Sequence, residues 1–328
     1  YRILEPSFGG GDFLLPMIDR LVDSALKHGI DPSVENLKEC ICGVELHQET
    51  WLRTRRKVIQ RLQRSVSPEV AERLADKWLV QGDFLLEPFG AGFDFIVGNP
   101  PYVRQELISA SLLSEYKSRY STLYDRADLY VPFIQRSLSL LTLTGVLGFI
   151  CSDRWMKNRY GGPLRSFVSR DFHLAVYVDM VDTDAFTEEV TAYPAITIFT
   201  RTPSQPTATV RRPKISSTTF DEIVRAIERN EPGNGEGVFR RALIQREGSE
   251  PWILESNDQV DLLRRIEAEY PAIEETGCRI GIGVATGADK CFIGPFDLLD
   301  VEQDRKLKLA TTKDIVSGEV HCRGLGVI

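Results

Sequence analysis

Asn99-Pro100-Pro101-Tyr102 follows directly on an apolar run, Phe93-Asp94-Phe95-Ile96-Val97-Gly98. Two consecutive prolines withhold two backbone N–H groups and stiffen the chain, which leaves carbonyl oxygens as the dominant polar groups of the segment. The Asn99 amide oxygen and the Pro100 carbonyl can then act as a rigid acceptor pair for a planar amino group, while Pro101 holds the spacing and Tyr102 offers a ring to stack on a heterocycle. This is chemistry for gripping an exocyclic amine.

A second group lies near the start of the sequence. Glu5-Pro6-Ser7-Phe8-Gly9-Gly10-Gly11 links a short apolar strand to an amphipathic helix, with Phe13 entering that helix. A glycine-rich turn at such a junction lets backbone approach a nucleotide-like ligand beyond the carboxyl ends of the strands. The pattern is not G-x-G-x-x-G, because position 14 is Leu, and the Lys-Ser/Thr of a phosphate loop is absent. Glu45, with Leu46 after it, ends the next strand and can accept hydrogen bonds from both hydroxyls of a ribose. Asp83 ends a third strand and could accept from an adenine amino group, with the ring of Phe84 against the base.

The elements that must position these residues alternate. Strands are expected at 2–5, 39–46, just before Gly82-Asp83, and at 93–98, 146–151, 174–181 and 194–200; helices at 12–28, 48–65, 68–78, 128–142 and near 164–169. Alternation of this kind predicts an α/β fold, a doubly wound, mostly parallel sheet over about 1–202, with a polar stretch between Tyr102 and the long helix. Residues 201–217 turn rich in Pro, Ser and Thr and read as a linker. Beyond it, 218–328 is expected to be a smaller, looser α+β region, with a loop at 231–237 and a glycine-punctuated strand or turn at 281–287.

Composition excludes several classes. With 42% hydrophobic and 27% charged residues in 328, the chain is globular in type. Its most apolar run, 138–151, is too short and too broken to cross a membrane. Six scattered cysteines and four isolated histidines lack metal-ligand spacing, so the expectation is reduced thiols, no metal and a cytoplasmic setting. A net charge of −7 argues against a protein that coats nucleic acid, but basic clusters occur at 53–64 (Arg53, Arg55, Arg56, Lys57, Arg61, Arg64), at Arg211, Arg212 and Lys214, and at Arg240-Arg241. Since Tyr1-Arg2-Ile3-Leu4 already reads as a buried strand, the sequence is expected to begin inside a longer reading frame.

Taken together, these motifs resemble those of the gamma-class N6-adenine DNA methyltransferases, of the large restriction–modification methylase type. Glu5-Pro6-Ser7-Phe8-Gly9-Gly10-Gly11 is similar to that family's D/E-P-x-x-G-x-G cofactor motif, and Asn99-Pro100-Pro101-Tyr102 to its N/D-P-P-Y/F catalytic motif. Asp128-Leu129-Tyr130-Val131-Pro132-Phe133, the strands at 145–150 and 193–199, and Gly283 to Phe292 resemble later family segments. The order of the motifs implies a catalytic domain (1–202) followed by a target-recognition region (203–328). Glu5 stands where Asp is commoner, Gly10-Gly11-Asp12 replaces a Gly-Ser-Gly-Ala pattern, and the family's extra cofactor motif before the first strand is absent.

The resemblance implies S-adenosyl-L-methionine as cofactor, held at its methionine end by Glu5, with Pro6, Ser7, Gly9, Gly11 and Phe13 forming the turn, Glu45 and Leu46 at the ribose, Asp83 and Phe84 at the adenine, and Asn99 bordering the cofactor as well as the target. It further implies double-stranded DNA as partner, a flipped target adenine stacked on Tyr102, and nuclease or specificity domains elsewhere in the same polypeptide. An acceptor pair of this kind also suits an RNA base or a protein glutamine amide, and a non-catalytic DNA-binding module is the remaining alternative. The arginine clusters downstream favour DNA.

Overall fold

The computed structural model describes the chain apart from residues 182, 184–193, 202–205, 230–239, 243–247, 253, 255, 256, 280, 282 and 285, and gives the backbone alone at 240–242, 257–261 and 264. The expected loop at 231–237, Tyr193, and the side chains of Arg240 and Arg241 therefore lie outside the described residues. The chain forms two compact units, Tyr1–Leu262 and Leu263–Ile328.

In the first unit the strands are β1 (Ile3–Glu5), β2 (Ile41–Glu45), β3 (Leu79–Gln81), β4 (Phe93–Gly98), β5 (Leu141–Ser152), β6 (His173–Asp179), β7 (Pro194–Thr200), β8 (Thr207–Arg211) and β9 (Arg240–Ala242). They form one sheet in the order β3-β2-β1-β4-β5-β7-β6-β8-β9. β1 through β5 pair in parallel, whereas β7 runs antiparallel to both β5 and β6. The helices of this half are α1 (Leu14–Lys27), α2 (Val34–Leu37), α3 (Gln48–Leu62), α4 (Pro68–Trp78), α5 (Ala110–Arg119), α6 (Tyr130–Leu140), α7 (Arg154–Lys157), α8 (Gly162–Asp171) and α9 (Ser217–Arg229). An α/β sheet of doubly wound type is what the alternating periodicities called for.

Two apolar layers hold the sheet. Leu14, Ile18 and Val22 of α1, Val58 and Leu62 of α3, and Ala71, Leu74 and Trp78 of α4 form one. In the other, Tyr130, Phe133, Ile134 and Leu138 of α6 pack with Leu4, Ile96, Leu147 and Phe149. Each large side chain taken fully out of water contributes about 1.5–3 kcal/mol. The Trp78 indole N–H meets the Leu37 carbonyl at 2.8 Å, so that ring is buried without an orphaned donor.

Three details depart from the sequence reading. The expected linker over 201–217 contains β8, whose Thr-Ala-Thr-Val alternation suits a strand; it pairs in parallel with β6, and Thr207 Oγ1 donates to the Leu174 carbonyl at 2.7 Å. The sheet therefore continues past residue 202. The polar stretch after Tyr102 holds α5, with Leu112, Leu113 and Tyr116 at helical spacing. The long helix stops at Leu140 and β5 begins at Leu141; within β5, Gly145 sits against the Phe93 carbonyl, where a Cβ would come within 2.8 Å.

In the second unit, β10 (Ile293–Pro295), β14 (Leu325–Val327) and β11 (Leu307–Leu309) form an antiparallel sheet, and β12 (Ile315–Val316) pairs with β13 (Glu319–Val320). Asp314 anchors the latter pair by accepting from Arg323 Nε at 2.7 Å and from Thr311 Oγ1 at 2.7 Å. Among the described residues of 281–287 there is no strand; Gly287, at φ +70°, turns the chain toward a short helix at Asp289–Phe292. No helix among the described residues is long and apolar enough to cross a membrane, and all six cysteines are free thiols.

Candidate active site

Parallel pairing aligns the strand ends. Glu5 pairs with Gly43, Glu45 with Gln81, and Gly98 of β4 with Phe149 of β5. Glu5, Glu45, Gly82-Asp83 and Asn99 thus emerge at one carboxyl edge, where the strand order reverses between β1 and β4. Open α/β sheets bind ligands at this switch point.

A cleft of about 260 Å³ opens there, lined among others by Pro6, Ser7, Gly9, Glu45, Leu46, His47, Asp83, Phe84, Asn99 and Pro101. The backbone N–H groups of Gly9 and His47 donate to the two carboxylate oxygens of Glu45 at 3.0 and 2.8 Å. Two of its lone-pair sites are so engaged, which fixes the group and leaves the others to accept from a ligand. Asp83 is held likewise, by the Tyr116 hydroxyl at 2.5 Å and the Leu85 N–H at 2.8 Å. Phe84 is buried, its ring 5.0 Å from that of Phe133.

Glu5 lies beneath this edge, 1% exposed, with Oε2 buried and unpartnered. Burial, and then the like charges of Asp12 and Glu45, push its carboxyl up to about 8. A carboxylate so placed is stabilised by a cation.

The Asn99 Oδ1 atom is also buried, with no hydrogen-bond partner among the described residues, although the side chain borders the cleft. The backbone behind it is fixed, since Ser7 Oγ donates to the Asn99 carbonyl at 3.0 Å and so ties the glycine-rich segment to the proline pair. Tyr102 is 37% exposed and its ring lies 6.0 Å from that of buried Tyr130, whose hydroxyl bonds that of Tyr160 at 2.8 Å. Desolvation raises the Tyr102 hydroxyl well above the usual phenol range. Beyond it, the Leu129 N–H donates to the Val103 carbonyl at 3.0 Å and Gln105 Nε2 to the Ala127 carbonyl at 2.7 Å, pinning the loop to the start of α6.

The fold therefore brings Pro6, Ser7, Gly9, Glu45, Leu46, Asp83, Phe84, Asn99 and Pro101 around one cleft. Glu5 and Pro100 are buried beside it, Tyr102 lies past its proline side, and Gly11 (φ +90°) and Phe13 shape the entry to α1 without lining it. His47, Val103 and Tyr116 line the cleft and were not anticipated, and Leu129 and Phe133, quoted only within a later family segment, line it too. Tyr116 was legible only through the helical spacing of α5. The first basic cluster is partly consumed internally: Arg55 pairs with Asp76 and Arg61 with Asp19. Arg212 pairs with Asp179 at 3.6 Å.

The chain is similar to known proteins. The profile of the family described as Eco57I restriction-modification methylase matches residues 37–186. The whole chain aligns at 56% identity with the Type II methyltransferase M.PaeR7I of Pseudomonas aeruginosa and at 47% with the Type II methyltransferase M.XhoI of Xanthomonas vasicola. It covers 57% and 61% of those two proteins, and so spans about three fifths of their length. In fold it is similar to solved methyltransferases. One is a Listeria monocytogenes protein assigned as a class I S-adenosylmethionine-dependent methyltransferase, at TM-score 0.50 and 15% identity, over 69% of this chain and 63% of that one. Another is the type I restriction-modification methyltransferase subunit of Streptococcus thermophilus, at TM-score 0.50 and 14% identity, over 74% of this chain and 50% of that one.

Proposed function

Since the chain carries a restriction–modification methylase domain of the Eco57I family, we propose that it holds the catalytic centre of an S-adenosylmethionine-dependent DNA methyltransferase acting on the N6 amino group of adenine. One observation carries this reading: a buried, unpartnered amide oxygen, Asn99 Oδ1, on the rim of a cleft whose other polar groups include the carboxylates of Glu45 and Asp83. An acceptor left in that state costs about 1–3 kcal/mol, and a donor entering the cleft offsets it.

The residues fit the cofactor. Glu45, aimed by two backbone donors, would hold the ribose hydroxyls; Asp83 and the edge of Phe84 would receive the adenine; Glu5, buried with Oε2 unpartnered, would meet the methionine ammonium, which favours its ionised form. When bound, S-adenosylmethionine would supply an electrophilic methyl group.

The chain's own residues do the rest by positioning. The target base must leave the duplex stack to reach a cleft of this kind. Tyr102 stacks on it, while Asn99 Oδ1 and the Pro100 carbonyl accept from its amino group and turn the nitrogen lone pair toward the methyl donor. Rate then comes from orientation and fixed dipoles. Double-stranded DNA is the expected partner, read by residues that follow the last strand of the large sheet. The Type II methyltransferase relatives support DNA over RNA or a glutamine amide.

The test is to incubate the protein with S-adenosylmethionine and duplex DNA of mixed sequence and to analyse the nucleosides by mass spectrometry. N6-methyladenine is expected. Methylation confined to cytosine, RNA or protein would overturn the assignment.

A further inference from the structure

Thr54 occupies the wrong kind of position for its chemistry. It stands on α3 in line with Val58 and Leu62, spaced i, i+4, i+8, and like them it is buried, at 0% exposure. An aliphatic side chain would continue this stripe, and a buried hydroxyl without a partner is costly. Its partner lies on another element: Thr54 Oγ1 donates to the Gly9 carbonyl at 2.7 Å. One turn on, Lys57 Nζ donates to the Gly10 carbonyl at 2.9 Å.

Both polar groups of Gly9 are thereby spoken for. Its N–H goes to Glu45 Oε2 at 3.0 Å and its carbonyl to Thr54. Glu45 ends β2 and α3 begins three residues later, so the same stretch of chain grips the turn from two sides. The turn needs such restraint. Gly9 and Gly11 sit at φ +47° and +90°, and glycine alone has too much freedom to hold a single orientation. A carboxylate aimed by the Gly9 N–H stays aimed only while that residue is fixed.

We propose that Thr54, assisted by Lys57, is a positioning residue for cofactor binding: its hydroxyl locks the Gly9 carbonyl and so holds the Glu45 carboxylate in the orientation that receives the ribose. This inference rests on the reading of the cleft as the S-adenosylmethionine site. Thr54 touches no ligand in this scheme; it acts through Gly9.

The experiment compares the wild-type protein with Thr54→Val, Thr54→Ser and Lys57→Met, measuring S-adenosylmethionine affinity by calorimetry and folding by thermal melt. Loss of one buried hydrogen bond predicts about tenfold weaker binding in Thr54→Val, and Thr54→Ser, which keeps the hydroxyl, should recover most of it. Lys57→Met, at an exposed site, should weaken binding about twofold to threefold. A wild-type protein that fails to bind S-adenosylmethionine would overturn the reading of the cleft, and this inference with it. Wild-type binding together with Thr54→Val binding within about twofold, or Thr54→Ser no better than Thr54→Val, would overturn the inference alone. Should Thr54→Val not fold, unchanged affinity in Lys57→Met decides against the clamp and reduced affinity decides for it.

Discussion

Replacing Glu5 with Gln tests the electrostatics of the site without activity as a readout. In the folded protein Glu5 keeps its proton to about pH 8, because it is buried and faces Asp12 and Glu45, whereas its ordinary value is 4.5. Between these limits the folded state binds more protons than the unfolded one, so this residue's contribution to stability is present at acid pH and is lost as pH rises toward 8. From pH 6 to pH 8 the loss works out at about 2 kcal/mol. Glu5→Gln has nothing to ionise. Every other titrating group is shared, so the difference between wild type and variant isolates Glu5. Urea melts at pH 6 and pH 8 should show the variant gaining about 2 kcal/mol on the wild type over that interval. The same proton opposes a cationic ligand. The ionised fraction of Glu5 rises about tenfold from pH 6 to pH 7, and wild-type affinity for S-adenosylmethionine should rise with it while that of Glu5→Gln stays flat. Parallel stability curves for the two proteins would refute the argument, since they would mean that Glu5 ionises normally in the folded state.

Other outcomes follow from the same geometry. Asn99→Ala should lower the rate of methyl transfer about 10²–10³-fold while leaving S-adenosylmethionine affinity by calorimetry unchanged. Tyr102→Phe keeps the ring and should retain most activity; Tyr102→Ala should lose about 1–3 kcal/mol of base stacking, read as kcat/KM for DNA. Arg165 is buried and donates to the carbonyls of Trp155, Asn158 and Ser249, so Arg165→Met should cost about 3 kcal/mol in denaturant melts with cofactor affinity intact.

Much of the fold was legible because its signals are local. Apolar runs at 41–45 and 93–98 and the helical stripe of α1 declare their periods within a dozen residues. What misled were segments whose composition and role diverge. The Pro- and Ser-rich sequence ahead of Thr207 reads as linker, yet β8 finds a partner in β6, a pairing separated by some thirty residues that no local pattern announces. Leu112, Leu113 and Tyr116 were diluted among serines and charges, so α5 passed for a polar stretch, although Tyr116 supplies the hydroxyl that orients Asp83.

The site divides along a similar line. The residues proposed to meet a ligand stand at strand ends, where strand, turn and acid are adjacent in sequence; hence Glu45, Asp83 and Asn99 could be picked out one at a time. The groups that aim them are distant in sequence and chemically plain: a threonine for Gly9, a tyrosine for Asp83, a serine for the Asn99 backbone. Thr54 still left a trace, as a hydroxyl in an apolar stripe, Thr54-Val58-Leu62, where valine would satisfy the helix. A polar residue at a position that burial alone would fill with an aliphatic one is costly unless it finds a hydrogen-bond partner. Here that partner is the turn whose geometry decides where the Glu45 carboxylate points.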